Sequence, residues 1–176
     1  MSRPGWRLRA AADSDLPQVQ AIYARHVLHG IASFELEPPG VAEIAERRRA
    51  ILERGLPYLV AAEDQRVLGY AYAGPYRTRP AYRLTLEDSV YIAAEAAGRG
   101  IGSALLGELI AQTTALGYRQ MVAVIGDSGN AASIALHRRH GFREAGLLVA
   151  VGWKHGRWID SVLMQRALGV GDSRPA

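Results

Sequence analysis

The sequence predicts one mixed α/β (α+β) domain built on a central, mostly antiparallel sheet flanked by helices. Apolar runs of strand length recur along the chain, and four stretches repeat apolar residues at three- and four-residue spacing. The two kinds of segment neither alternate strictly nor separate into blocks. The order is strand, two helices, three or four strands, helix, strand, helix, two strands, and parallel βαβ units alone cannot produce it. At 176 residues the chain fits a single domain and can bury most of what its unfolded form exposes.

Taken in order, Trp6 to Ala10 alternates apolar and basic residues, as a half-buried strand does. Asp13 offers an N-cap ahead of the stripe Leu16, Val19, Ile22, Tyr23 and Val27, which ends near Gly30. A second helix follows Pro38-Pro39-Gly40, with Val41, Ile44, Ala45, the stem of Arg48, Ile51 and Leu52 on one face and Gly55 at its close. Tyr58 to Glu63 and Val67 to Ala73 read as a hairpin turning at Asp64-Gln65-Arg66. The loop Gly74 to Arg83 leads into a strand, Leu84 to Ile92, and then into a glycine cluster.

From Ile101 the residues Leu105, Leu106, Leu109, Ile110 and Thr113 draw a third helix that stops at Gly117. Gln120 to Ile125 is a short buried strand, and Asn130 caps a last helix ending at Gly141. Phe142 to Gly152 and Trp158 to Met164 give two final strands. The expected organisation is one domain over 1–168 and a flexible tail over 169–176.

Composition narrows the function classes. A chain with 49% hydrophobic and 22% charged residues is globular rather than disordered. It has no cysteine, which removes disulfides, a thiol nucleophile and thiolate zinc sites, and suits a reducing cytosol. No stretch approaches the roughly 20 apolar residues of a membrane span, and the opening residues lack the apolar core of a signal peptide. A cytoplasmic protein without membrane or metal partners is expected. The net charge of +4 and the pI near 9.7 leave open a polyanion, one small anionic ligand, or plain surface solubility.

The glycine cluster separates these. Gly98, Gly100 and Gly102 stand just before and within the first turn of the helix that begins near Ile101. Such a turn has backbone N–H groups without intrahelical partners and lies at the positive end of the helix dipole. An anion fits there, with Arg99 adding charge; a flexible capping turn is the plainer alternative. No Walker A run occurs, and Ser103 and Leu105 stand where a dinucleotide fingerprint would need glycine.

Strand Ser89-Val90-Tyr91-Ile92, then GRGIGSALL, then GNAASIALHRRHGF together resemble the acetyl-CoA-binding core of the GNAT N-acetyltransferases. The likeness runs from Trp6 to about Leu168. The family pattern Gln/Arg-x-x-Gly-x-Gly falls on 97–102, where Gly100 and Gly102 match and Ala97 departs from it. The resemblance implies a GNAT fold, splayed at the acetyl-CoA site. The pyrophosphate would rest on amides of Gly98, Arg99, Gly100, Ile101, Gly102 and Ser103. The pantetheine arm would pair with Val90, Tyr91 and Ile92 and take a hydrogen bond from Asn130, whose side chain is also wanted as a helix cap. A backbone N–H would polarise the thioester carbonyl.

Acetylating an amine requires a base to free it of its proton. Glu87, in an apolar strand directly upstream of Val90, is the candidate, because burial raises a carboxyl pKa. Asp88, on the opposite face of the strand, competes for the role, and a solvent-facing charge is the ordinary alternative. The segment TLEDSVYI resembles the phosphinothricin and methionine-sulfoximine acetyltransferase branch, which favours Glu87. His137 stands where many GNAT members carry the tyrosine that protonates the CoA thiolate, and histidine can donate a proton at neutral pH. Read without the family, His137 is an exposed polar residue, and with His140 a weak metal pair. His26 and His29 are expected on an exposed helix face and His155 in a turn.

Arg77 and Arg79, interleaved with Tyr76, Thr78 and Pro80, offer guanidinium groups for a carboxylate or phosphinate, or else form a solvated loop. GPYRTRPAYR resembles the substrate loop of the same branch, so Tyr76, Arg77, Thr78, Arg79, Leu86, Glu87 and Asp88 are the expected substrate residues. VGWKHGRWIDSVLMQ also resembles that branch, which implies a homodimer bordering the pocket. Trp153, Lys154 and Trp158 could then face the partner, core aromatics being the alternative.

The expected activity is transfer of acetyl from acetyl-CoA to the α-amine of a small amino acid analogue such as phosphinothricin, methionine sulfoximine or methionine sulfone, by direct attack on the thioester. One alternative is the same fold acting on a protein N-terminus or a lysine side chain. The other is a nonenzymatic nucleic-acid-binding module, against which stands the lack of an aromatic stacking platform among scattered basic residues.

Overall fold

The computed structural model describes residues 5–175; the first residues of the expected domain and the last of the expected tail lie outside them. Seven strands form one sheet in the order β1-β2-β3-β4-β5-β7-β6. They are β1 (Arg7–Ala10), β2 (Tyr58–Glu63), β3 (Arg66–Pro75), β4 (Thr85–Ile92), β5 (Gln120–Gly126), β6 (Arg143–Lys154) and β7 (Arg157–Ala167). Four helices accompany them: α1 (Leu16–His29), α2 (Val41–Leu52), α3 (Ile101–Ala115) and α4 (Ala131–Arg139). Every neighbouring pair is antiparallel except β4 with β5, as the element order requires.

That one parallel pair is short. Its register runs from Thr85 opposite Gln120 to Asp88 opposite Ala123 and then ends. Beyond it β4 stays with β3 as far as Ile92 opposite Gly69, and β5 stays with β7 as far as Gly126 opposite Ser161. The sheet therefore splits between β4 and β5, and Ser89 to Ile92 face the gap.

Side chains alternate across β4, so its two faces meet different helices. Tyr91 packs edge-on against Tyr23 of α1 at 5.0 Å. Ile92 lies on the other face, beneath Gly102 of α3. The helical stripe read for α3 is buried residue for residue: Ile101, Leu105, Leu106, Leu109, Ile110 and Thr113. The stripe read for α2 is corrected. Only Ile44 is fully buried, while Val41 and Leu52 are exposed, because α2 meets α1, β2 and β3 along one narrow edge.

Asp13 does not cap α1. It sits in a short 3-10 turn and pairs with Arg48 at 2.7 Å, while Asp15 takes the Ala12 N–H at 2.8 Å and the Arg9 guanidinium. His26 is only half-exposed, its Nε2 lying 2.9 Å from the Ile92 carbonyl. The segment after Leu168 turns back on itself, and Arg119 donates to the Gly171 carbonyl at 3.1 Å.

Candidate active site

The glycine cluster adopts the conformation its composition suggests. Gly98 and Gly100 have φ of 78° and 77°, a region costly for any residue with a Cβ. Gly100 is the N-cap of α3 and supplies no side chain to its own helix end. The first α3 amide to reach a backbone carbonyl is Ala104, bonded to Gly100 at 3.1 Å. The amides of Ile101, Gly102 and Ser103 thus stand without intrahelical partners at the positive end of a four-turn helix. The Ser103 hydroxyl is engaged by His140 Nε2 at 2.8 Å, so that residue offers its amide. The Arg99 guanidinium reaches Glu63 at 2.6 Å instead of the loop mouth. A pair this exposed contributes little, so an anion can draw Arg99 away.

Next to this mouth a cavity of about 410 Å³ passes through the split in the sheet. Its lining comes from both faces of β4: Glu87, Ser89 and Tyr91 on the α1 side, Asp88 and Val90 on the α4 side. The α1 side is completed by Tyr23, Tyr72 and the loop residues Ser33, Phe34 and Glu35; the other side by Asn130, Ser133 and His137.

Glu87 is half-buried, and burial, with the neighbouring Asp88 charge as a smaller cause, lifts its pKa above the usual carboxyl value of 4.5. Asp88 is not beside it. It turns to the opposite face and accepts a hydrogen bond from His137 Nε2 at 2.9 Å, both side chains being almost completely buried. The other ring nitrogen of His137 lies 2.8 Å from the Ser133 carbonyl. Burial alone would lower the His137 pKa; the hydrogen bond and charge of Asp88, with the Ser133 carbonyl, override it and raise the pKa above 6.5. Acceptors on both nitrogens favour the protonated ring. His137 is thus a buried, hydrogen-bonded residue and not the exposed polar one its position on a short helix suggests.

Asn130 performs the capping role, its Oδ1 accepting from the Ser133 N–H at 3.2 Å. Its side chain still lines the cavity. Among the described residues no group of three or more histidines and carboxylates could hold a metal, and no helix is long and apolar enough to cross a membrane.

The expected substrate residues divide. Glu87 and Asp88 line the cavity, but Leu86 is buried in the core with its side chain out of reach. Arg77, Thr78 and Arg79 line a separate surface hollow, with Arg77 stacked over the Tyr76 ring at 5.2 Å. Lys154 does not face outward: it is 3% exposed and donates to the Ser33 carbonyl at 2.7 Å. Trp153 and Trp158 are 57% and 61% exposed, so the core reading of these aromatics fails.

Sequence reasoning missed Tyr72, Ser33, Phe34 and Glu35. The tyrosines had a signal, since Tyr70 and Tyr72 at strand spacing stack on Tyr58. The loop residues had none.

The chain belongs to the acetyltransferase (GNAT) family, whose model matches residues 23–142, and is an N-acetyltransferase by its likeness to named members. It is 54% identical over 98% of its length, and 88% of the relative's, to a phosphinothricin N-acetyltransferase of Alcaligenes faecalis. It is 41% identical, over 96% of its own length and 98% of the relative's, to an L-methionine sulfoximine/L-methionine sulfone acetyltransferase of Pseudomonas paraeruginosa. A crystal structure of a GNAT superfamily phosphinothricin acetyltransferase from Sinorhizobium meliloti in complex with acetyl-CoA superposes with a TM-score of 0.94, at 49% identity, over 98% of this chain and 93% of that one.

Proposed function

We propose that this chain transfers the acetyl group of acetyl-CoA to the α-amine of a small amino acid or analogue, of the kind exemplified by phosphinothricin, methionine sulfoximine and methionine sulfone. The named activities of its relatives support the substrate class. The single observation that carries the reading is the cavity through the β4–β5 split, with Glu87 on one face of the sheet and the Asp88–His137 pair on the other. A thioester and an amine can approach each other from opposite sides of one opening.

The residues fit the cosubstrate. Amides of Gly98 to Ser103 would hold a diphosphate, and the edge of β4 that β5 leaves after Asp88, over Val90, Tyr91 and Ile92, would take the amide-bearing arm as an added strand, with His26 giving up the Ile92 carbonyl. Acetyl-CoA supplies the activated acetyl group. Glu87, with its raised pKa, removes the proton from the incoming amine, directly or through water. A backbone N–H of β4 polarises the carbonyl, and His137, once a ring N–H turns from the Ser133 carbonyl, supplies a proton to the departing sulfur. Two carboxylates, Glu35 and Glu87, line the acceptor side and favour an ammonium group there.

In this reading the protein is a cytoplasmic homodimer. Exposed Val149, Val151, Trp153 and Trp158 along β6 and β7 support a second copy on that edge. Such a pair gives the arginine loop over Tyr76, Arg77, Thr78 and Arg79 an acceptor anion to bind at the joined surface.

The test is release of free CoA from acetyl-CoA with a panel of amines. Phosphinothricin and methionine sulfone are expected to support turnover and a tetrapeptide is not. Turnover of the tetrapeptide alone would favour the peptide-directed activity of the same fold. Salt-sensitive binding of DNA or RNA without thiol release would favour the nucleic-acid module.

A further inference from the structure

We infer that Lys154 is a positioning residue for the acceptor side of the cavity, clamping residues 30–35 into the wall that faces Glu87. The inference rests on the acetyl-transfer reading above and extends it to a residue remote from the reacting atoms.

The segment between α1 and α2 has no helix or strand of its own from Gly30 to Gly40, yet it contributes Ser33, Phe34 and Glu35 to the cavity. A loop of this kind keeps its shape only through contacts made from outside it. The tip of the β6–β7 hairpin supplies several of them, beside those from α1 and α2. The Lys154 ammonium, 3% exposed, donates to the Ser33 carbonyl at 2.7 Å. His155 Nε2 lies 3.2 Å from the Gly30 carbonyl. Gly152 lies flush on the Phe34 ring: a Cβ there would fall 2.9 Å from its Cε2. Inside the loop, Ser33 Oγ meets the Tyr23 hydroxyl at 2.9 Å and accepts from the Glu35 N–H at 3.2 Å. Fixing Ser33 therefore fixes Glu35, which Arg47 holds from α2 at 2.6 Å.

The chemistry suits a clamp. An ammonium that is almost fully buried is costly unless it is hydrogen-bonded and near a counter-charge, and the hydrophobic stem alone would not demand it. Burial pushes the Lys154 pKa down, with Glu35 pulling the other way. Lys154 does not itself line the cavity, and its ammonium is hydrogen-bonded to the acceptor-side loop at Ser33. Its influence should therefore fall on the acceptor and spare acetyl-CoA.

The experiment is steady-state kinetics of Lys154→Met, Lys154→Arg and Gly152→Ala with phosphinothricin or methionine sulfone, each substrate varied in turn. Wild-type turnover of these acceptors is established first, and its absence would count against the acetyl-transfer reading itself. Removing a buried charged hydrogen bond is expected to raise the acceptor KM of Lys154→Met by about tenfold or more, with the acetyl-CoA KM held within about twofold. Lys154→Arg should recover most of the loss. Gly152→Ala keeps the ammonium and pushes the Phe34 ring instead; it should raise the acceptor KM by about threefold. It decides the matter if Lys154→Met does not fold. The inference is overturned if acceptor and acetyl-CoA constants move together, or if neither Lys154→Met nor Gly152→Ala changes the acceptor KM.

Discussion

The two sides of the cavity are made in different ways. On the proposed cofactor side the groups on offer are main-chain amides of Gly98 to Ser103 and the edge of β4 beyond Asp88, close in sequence and placed by one strand, one loop and one helix. On the acceptor side they are side chains brought from α1, the 30–35 loop, β3 and β4, and stapled by a hairpin more than a hundred residues later in the chain. Backbone sites are local and tolerant of changes elsewhere. A wall of side chains depends on every element that supports it, which makes it the part of the molecule where specificity can drift.

Glu87→Gln strikes the acceptor side hardest. It should lower kcat by about 10²- to 10⁴-fold, the usual contribution of a general base, as read by thiol release. The wild-type kcat/KM should fall as pH drops through the raised Glu87 pKa, so its acid limb lies above 4.5.

Asp88→Asn probes the link between the sides. It should destabilise the fold by about 1–3 kcal/mol, measured by chemical unfolding below neutral pH. The sign follows from His137, whose folded pKa exceeds its unfolded value of 6.5. The stabilisation is present in full below that value and is lost as pH rises through the folded pKa. Wild type and variant should therefore converge in alkaline solution. The variant should also move the acid limb of kcat/KM downward, since the Asp88 charge helps raise the Glu87 pKa.

Gly100→Ala acts on the cofactor side. A Cβ at φ 77° meets no neighbouring atom but strains the backbone by about 1–2 kcal/mol. CoA affinity should fall by about tenfold, with the acceptor KM unchanged. Arg99→Ala is the mildest change. Its pair with Glu63 is partly exposed, so thermal stability should hold and CoA should bind only a few-fold more weakly.

Legibility followed the same division. The α3 stripe and the turn at Gly98 to Gly102 were readable because each depends on residues close together in the chain; the parallel pairing of β4 with β5 was not, since it joins segments on either side of α3. Glu87 was readable as a charge inside an apolar strand. The partner of His137 was not, since residues 49 positions apart meet only once the sheet has formed. Ser33 and Glu35 carry no periodic pattern, and Lys154 resembles any surface lysine until the fold encloses it. The arginine loop lies at a hollow apart from the cavity of the single chain, a placement that no local pattern in the sequence reveals.

The most direct measurement is a calorimetric titration of CoA into the wild type, Glu87→Gln and Gly100→Ala. One CoA should bind each chain, with equal affinity in the wild type and Glu87→Gln and about tenfold weaker affinity in Gly100→Ala. No heat of binding to the folded wild type, or a loss of affinity in Glu87→Gln as large as that in Gly100→Ala, would contradict a site divided between the two faces of the sheet.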